Sequence, residues 1–106
     1  MKTLGITLVL ALSAQFAHAA PGNAEAGKAK SAACAACHGP DGNSTTSGFP
    51  ILAGQHRDYL LHALKSYKSG KRKNPIMAGQ VQTLSEADMA DLAKFYASQQ
   101  GLKLKY

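Results

Sequence analysis

Cys34 and Cys37 stand two residues apart, and His38 follows the second of them directly. Two thiols at that spacing can both reach the vinyl groups along one side of a porphyrin and form thioethers. C-x-x-C-H is the attachment signature of c-type haem. The histidine beside the second cysteine then lies beneath the iron as its proximal ligand. These are the only two cysteines in the 106 residues, so no other pairing competes for them. A thioredoxin-like redox pair would want a βαβ setting, but the flanks here are Ala, Lys and Ser with no β-branched run. A structural zinc site needs four ligands, and the spare histidines, His56 and His62, lie six apart on one expected helix and face different sides. A disulfide would close only a tiny loop and add little stability. The adjacent histidine decides for haem.

A proximal histidine leaves one axial position on the iron. An empty position suits gas binding or peroxide chemistry, and a filled one suits electron transfer. The candidates are Met77, Met89, His56, His62 and several lysines. Met89 lies on the apolar stripe of the last expected helix, where methionine usually fills core. His56 and His62 read as helix surface. Met77 sits in Asn74-Pro75-Ile76-Met77-Ala78-Gly79, which reads as a loop stiffened by proline and loosened by glycine. Such a loop can turn a side chain inward without a helix dictating its direction. A thioether is a soft ligand suited to low-spin haem iron, and His/Met ligation raises the reduction potential. The other role open to Met77 is packing beneath its loop; the reading adopted is the distal iron ligand.

These ligands need a frame, and the pattern predicts an all-α one. A first helix is expected from about Ala24 to Cys34, with Asn23 as its N-cap. Gly27 inside it costs roughly 1 kcal/mol against Ala, so it either serves a close helix crossing or is tolerated near the first turn. A second helix is expected from His56 to Ser69, stopped by Gly70. Leu60, Ala63, Leu64 and Tyr67 form its apolar stripe, with Lys65 and Lys68 off it. A third opens on Ser85-Glu86-Ala87-Asp88, a capping-box variant, carries Met89, Leu92, Ala93 and Tyr96 as its stripe, and is expected to end at Gly101. Between the helices lie two long polar segments, Gly39 to Gln55 and Gly70 to Thr83. Structureless connections of that length are unusual in a compact domain, and a cofactor would give them something to wrap.

The first residues read as a secretory signal. Lys2 gives the charged start, Leu4 to Ala14 an apolar run without acids, and Ala17-His18-Ala19 the small-x-small cleavage pattern. A cut after Ala19 avoids placing Pro21 where the peptidase disfavours it; an uncleaved anchor is the alternative, on a run short for a membrane span. The division expected is 1–19 signal peptide and 20–106 a single domain of 87 residues. Cleavage removes Lys2 alone among the charged residues and leaves 11 basic against 6 acidic, a net +5. Outside the cytoplasm a cysteine pair tends to oxidise, so haem attachment there implies a dedicated system that keeps the thiols reduced. With no Trp and few large apolar residues, a domain this small needs help to be stable. The haem is therefore expected to form part of the core, and the apo-protein to be poorly ordered.

The chain resembles the small class I c-type cytochromes of bacteria, especially the cytochrome c-553 type and the single halves of its diheme relatives. The resemblance covers nearly all of 20–106. It rests on Gly27, Cys34 to Gly39, Asp41-Gly42-Asn43, Phe49-Pro50-Ile51-Leu52-Ala53-Gly54-Gln55, Arg72-Lys73-Asn74-Pro75-Ile76-Met77, and Leu84 to Tyr96. It implies a cytochrome c-like fold of three main helices and two long loops around one covalent haem. It implies that the Pro50 carbonyl accepts a hydrogen bond from the His38 imidazole, and that Arg72 partners a haem propionate. It also implies that Gly27 and Tyr96, or Phe95, mark the crossing of the first and last helices. There is one C-x-x-C-H in these residues, a departure from the diheme form.

The expected function is that of a periplasmic, soluble, monomeric one-electron carrier cycling between Fe(III) and Fe(II), not an enzyme. The alternatives are an electron-transfer subunit of a larger oxidoreductase and a haem-based ligand binder. Lys65, Lys68, Lys71, Arg72 and Lys73 read as a basic cluster near Met77 that steers redox partners with acidic docking surfaces; ordinary solubilising charge is the plainer reading. Nucleic acid is not an expected partner for an exported haem protein, and membrane contact is expected only peripherally, through membrane enzymes.

Overall fold

The computed structural model describes residues 22–105, so the expected signal segment 1–19 lies outside the described residues. Five helices follow in order: α1 (Ala24–Lys30), α2 (Ala32–His38), α3 (Arg57–Ser69), α4 (Pro75–Val81) and α5 (Glu86–Ala97). No strand occurs among the described residues. The all-α expectation holds, with two more helices than the three predicted.

The first departure is a break where one helix was expected to run on to Cys34. The Ser31 hydroxyl donates to the Lys28 carbonyl at 2.7 Å, and the Ser31 N–H reaches the same oxygen at 3.2 Å. A serine that competes for a backbone acceptor loosens the helical ladder at that point. The ladder resumes at once, with Cys34 and Ala35 donating to the Ser31 carbonyl, and carries the chain to His38. The second departure is α4. Asn74 caps it by accepting from the N–H groups of Ile76 and Met77 at 3.0 and 3.1 Å, and Pro75 takes the first helical position, where its missing N–H costs nothing. Met77 therefore projects from a short helix and not from a loop. The third is the end of α5, which stops at Ala97, four residues before Gly101. There Ser98 Oγ and Gln99 Nε2 both donate to the Phe95 carbonyl, at 2.7 and 3.1 Å.

The expected caps otherwise stand. Asn23 Oδ1 accepts from Ala26, the Ser85–Asp88 capping box is formed in both directions, and α3 closes on Gly70 in the left-handed region at φ +80°. Helix α5 forms the spine, with α1 crossing it on one side and α3 packed on another. Leu60, Leu92, Ala93, Phe95 and Tyr96 make the buried cluster between them. Gly27 is buried at the α1–α5 crossing, where an added Cβ would stand 2.1 Å from the Asp91 carbonyl oxygen and 2.7 Å from Phe95 Cβ. The two backbones touch there, which answers why a helix keeps a glycine. The segment 39–56 carries no helix but is tied down. Asn43 Nδ2 donates to the Gln100 carbonyl, Leu102 N to that of Ala53, and Gly54 N to that of Tyr96.

Candidate functional site

The α3 stripe does not close entirely on other helices. Leu60, Ala63, Leu64 and Tyr67 face a mainly apolar cavity of about 330 Å³ bounded also by α2, α4 and the 49–55 stretch. The six residues expected to hold the cofactor, Cys34, Cys37, His38, Pro50, Arg72 and Met77, all line this one space. On α2 the spacing of three and four residues puts both thiols and the imidazole on a shared face. Both cysteines are free, and burial pushes the Cys34 thiol above its ordinary range, so it rests as S–H. From the opposite side α4 brings in Met77, half-buried, while its neighbour Ile76 is 61 % exposed at the rim.

His38 is buried, and its Nδ1 lies 2.8 Å from the Pro50 carbonyl oxygen. A carbonyl can only accept, so Nδ1 carries the proton and donates it. The tautomer is set, and Nε2 keeps a free lone pair for a metal. Arg72 is held at the cavity by aromatic partners. Its guanidinium lies 4.8 Å over the Tyr67 ring, and Nη1 donates to the Tyr59 hydroxyl at 3.4 Å. The role of Tyr59 and Tyr67 in placing that charge was not foreseen. Tyr67 was legible only as a member of the apolar stripe, and Tyr59 carried no signal.

The expected basic cluster is divided. Of its five members only Arg72 lines the cavity. Lys65, Lys68 and Lys71 line a separate groove on the other side of α3, together with His62 and Met89. Lys65 pairs with Glu86, and Lys68 donates to the Leu84 carbonyl. Positions 65 and 68 fall off the 60–63–64–67 stripe, so the helix turns them away from the cavity. Met89 is buried and points to core and groove, and His56 caps α3, so neither lines the cavity that Met77 lines.

The donor set suits a covalent haem: two thiols, a free imidazole nitrogen and a thioether around an apolar space. A buried hydroxyl, that of Tyr96, also lacks a partner in the cavity wall. Comparison with known proteins agrees with that chemistry. The chain is 49 % identical over 100 residues to cytochrome c4 of Pseudomonas aeruginosa, covering 93 % of this chain and 49 % of that protein. It is 42 % identical over 82 residues to cytochrome c-554(548) of Halomonas halodenitrificans, covering 74 % of this chain and 99 % of that one. Its fold matches the crystal structure of reduced recombinant cytochrome c4 from Pseudomonas stutzeri with a TM-score of 0.73 at 44 % identity, over 76 % of this chain and 47 % of that one. The chain thus spans about half the length of the cytochromes c4 it resembles. The family model for cytochrome c matches residues 24–100, nearly the whole described structure, and the chain belongs to the cytochrome c family, whose members carry covalently bound haem c.

Proposed function

We propose that the chain is a one-electron carrier holding one haem c, attached through Cys34 and Cys37, with His38 and Met77 as the axial ligands. The haem, when bound, supplies an Fe(III)/Fe(II) couple. The observation that carries the reading is the convergence of one imidazole and one thioether on the same cavity that holds both free thiols. Pro50 holds the His38 tautomer that leaves Nε2 free. Arg72 offers a cation at the cavity for a haem propionate, preset by Tyr59 and Tyr67. Were His38 and Met77 both to hold the iron, a bound haem would offer no open position to a substrate, and the chain is read as a carrier and not an enzyme.

The residues 1–19 support export to the periplasm, with cleavage after Ala19. Among the described residues no helix is long and apolar enough to cross a membrane. The partners are redox proteins, and the lysines of the α3 groove give them an electrostatic approach that weakens with salt. The reading is tested by electrochemistry and gas titration of the holoprotein. One reversible one-electron wave is expected, together with a reduced protein slow to bind carbon monoxide. Rapid carbon monoxide binding by the native protein would favour the ligand-binder reading instead.

A further inference from the structure

We propose that Tyr96 is a positioning residue for the attached cofactor: in the haem-loaded protein its hydroxyl donates a hydrogen bond to the Cys34 sulfur. Tyr96 is 4 % exposed, and its hydroxyl is a buried polar atom with no hydrogen-bond partner. Native structures leave few such groups, and each one calls for a reason. The ring is not free to carry its hydroxyl to water. Phe95 lies against it with ring centroids 4.9 Å apart. Gly42 fits so closely on the other edge that a Cβ there would stand 2.7 Å from Tyr96 Cδ1.

Two polar neighbours are in reach, Cys34 and Ser31. Cys34 packs on the same buried cluster as Tyr96, and both line the cavity. Ser31 is not among the cavity residues, and its own proton goes to the Lys28 carbonyl at 2.7 Å. That leaves its oxygen as the one competing acceptor, which Ser31→Ala removes in the test below. Burial, with the neighbouring Cys34 adding to it, holds the Tyr96 hydroxyl well above its usual range, so it remains a donor. Before attachment Cys34 is itself an S–H group. Thioether formation adds that S–H across a vinyl double bond: sulfur bonds one carbon, the hydrogen goes to the other, and no electron is gained or lost overall. The sulfur is left as an acceptor only, facing a fixed donor. The unpartnered hydroxyl of the protein alone becomes half of a pair in the loaded one. A proton held at that sulfur draws electron density from the porphyrin edge and favours the reduced state.

This inference rests on attachment at Cys34, and the experiment separates the two. The holoprotein and its Tyr96→Phe variant, which keeps the ring and loses only the hydroxyl, are compared by mass, resonance Raman and redox titration. With haem attached in both, the native C–S stretching band is expected to shift in D2O and the variant's band to stay in place. At a fixed ambient potential the oxidised-to-reduced ratio is expected to rise about twofold in the variant. Ser31→Ala should leave both readouts at native values. Attached haem with an unmoved band and potential in Tyr96→Phe overturns this proposal alone, as does a Ser31→Ala variant that reproduces the change. A native mass without haem overturns the attachment reading and this one with it.

Discussion

At the crossing of α1 and α5 the chain satisfies itself. The Asn23 N–H donates to Asp91 Oδ1 at 2.8 Å, Lys30 bridges Asp88 and Asp91 at 2.8 and 2.6 Å, and Gly27 lets the two backbones meet over Phe95. Around the cavity the same chain leaves its groups waiting. Two thiols are free, His38 turns Nδ1 to the Pro50 carbonyl, Tyr96 has an unpaired hydroxyl, and Tyr59 and Ile76 stand 48 % and 61 % exposed at the rim. One region is completed by amino acids. The other has the shape and donor groups for a cofactor, and in the proposed function the haem would serve there as core and redox centre at once.

That contrast is broken most severely by removing the attachment. Cys34→Ala with Cys37→Ala is expected to lose most helical circular dichroism, with residual hydrogen-exchange protection confined to α1 and α5. Native helix content without haem would show that the cavity side folds unaided. A smaller but large effect should come from the self-sufficient side. Gly27→Ala gains helix propensity but drives a methyl into the Asp91 carbonyl. Overpacking outweighs the gain, and a loss of about 3 kcal/mol is expected. That corresponds to a Tm lower by about 10–20 °C in a domain of this size, read by calorimetry of the holoprotein.

The smallest effect concerns charge at the same crossing. The Lys30 ammonium beside Asp88, helped by the Ser85 N–H, lowers that carboxyl to about 2, and Lys30 also lowers Asp91. A carboxyl whose folded pKa lies below its ordinary value stabilises the fold above that ordinary value. The contribution is lost as pH falls towards the folded one. Native Tm should therefore decline between about pH 4 and pH 2. The decline should be shallower in Asp88→Asn, which keeps an oxygen for the Ser85 N–H but carries no charge. Parallel curves for the two proteins would mean that Lys30 does not bias this junction.

The same division explains what could be read beforehand. Helices α3 and α5 announce themselves by caps and by stripes that repeat every three to four residues, because each has one apolar face to cover. That of α5 packs against α1 and α3, and that of α3 lies partly against α5 and partly towards the cavity. Gly27 taken alone leaves two options open; the family resemblance points to the helix crossing, and the Asp91 carbonyl beside it gives the steric reason. Helices α2 and α4 follow another logic. In α2 the polar and reactive residues share the inner face, so amphipathic reading misplaces its start and end. In α4 the Asn74-Pro75 pair reads as a turn, although asparagine at an N-cap and proline in the first position is equally a helix start. Of the six expected site residues, Cys34, Cys37, His38 and Met77 follow from types and spacing, and Pro50 and Arg72 only from the family resemblance. Tyr59, Tyr67 and the Tyr96 hydroxyl follow from neither. Their roles come from three-dimensional neighbours that no local pattern encodes.

The central claim is that His38 and Met77 close the two faces of one attached haem. It is tested most directly by the visible spectrum of the oxidised holoprotein beside its Met77→Ala variant. A sulfur-to-iron charge-transfer band is expected in the native protein and should vanish in the variant, with the haem still covalently bound. A native spectrum lacking that band, or a band that survives in Met77→Ala, would contradict the account.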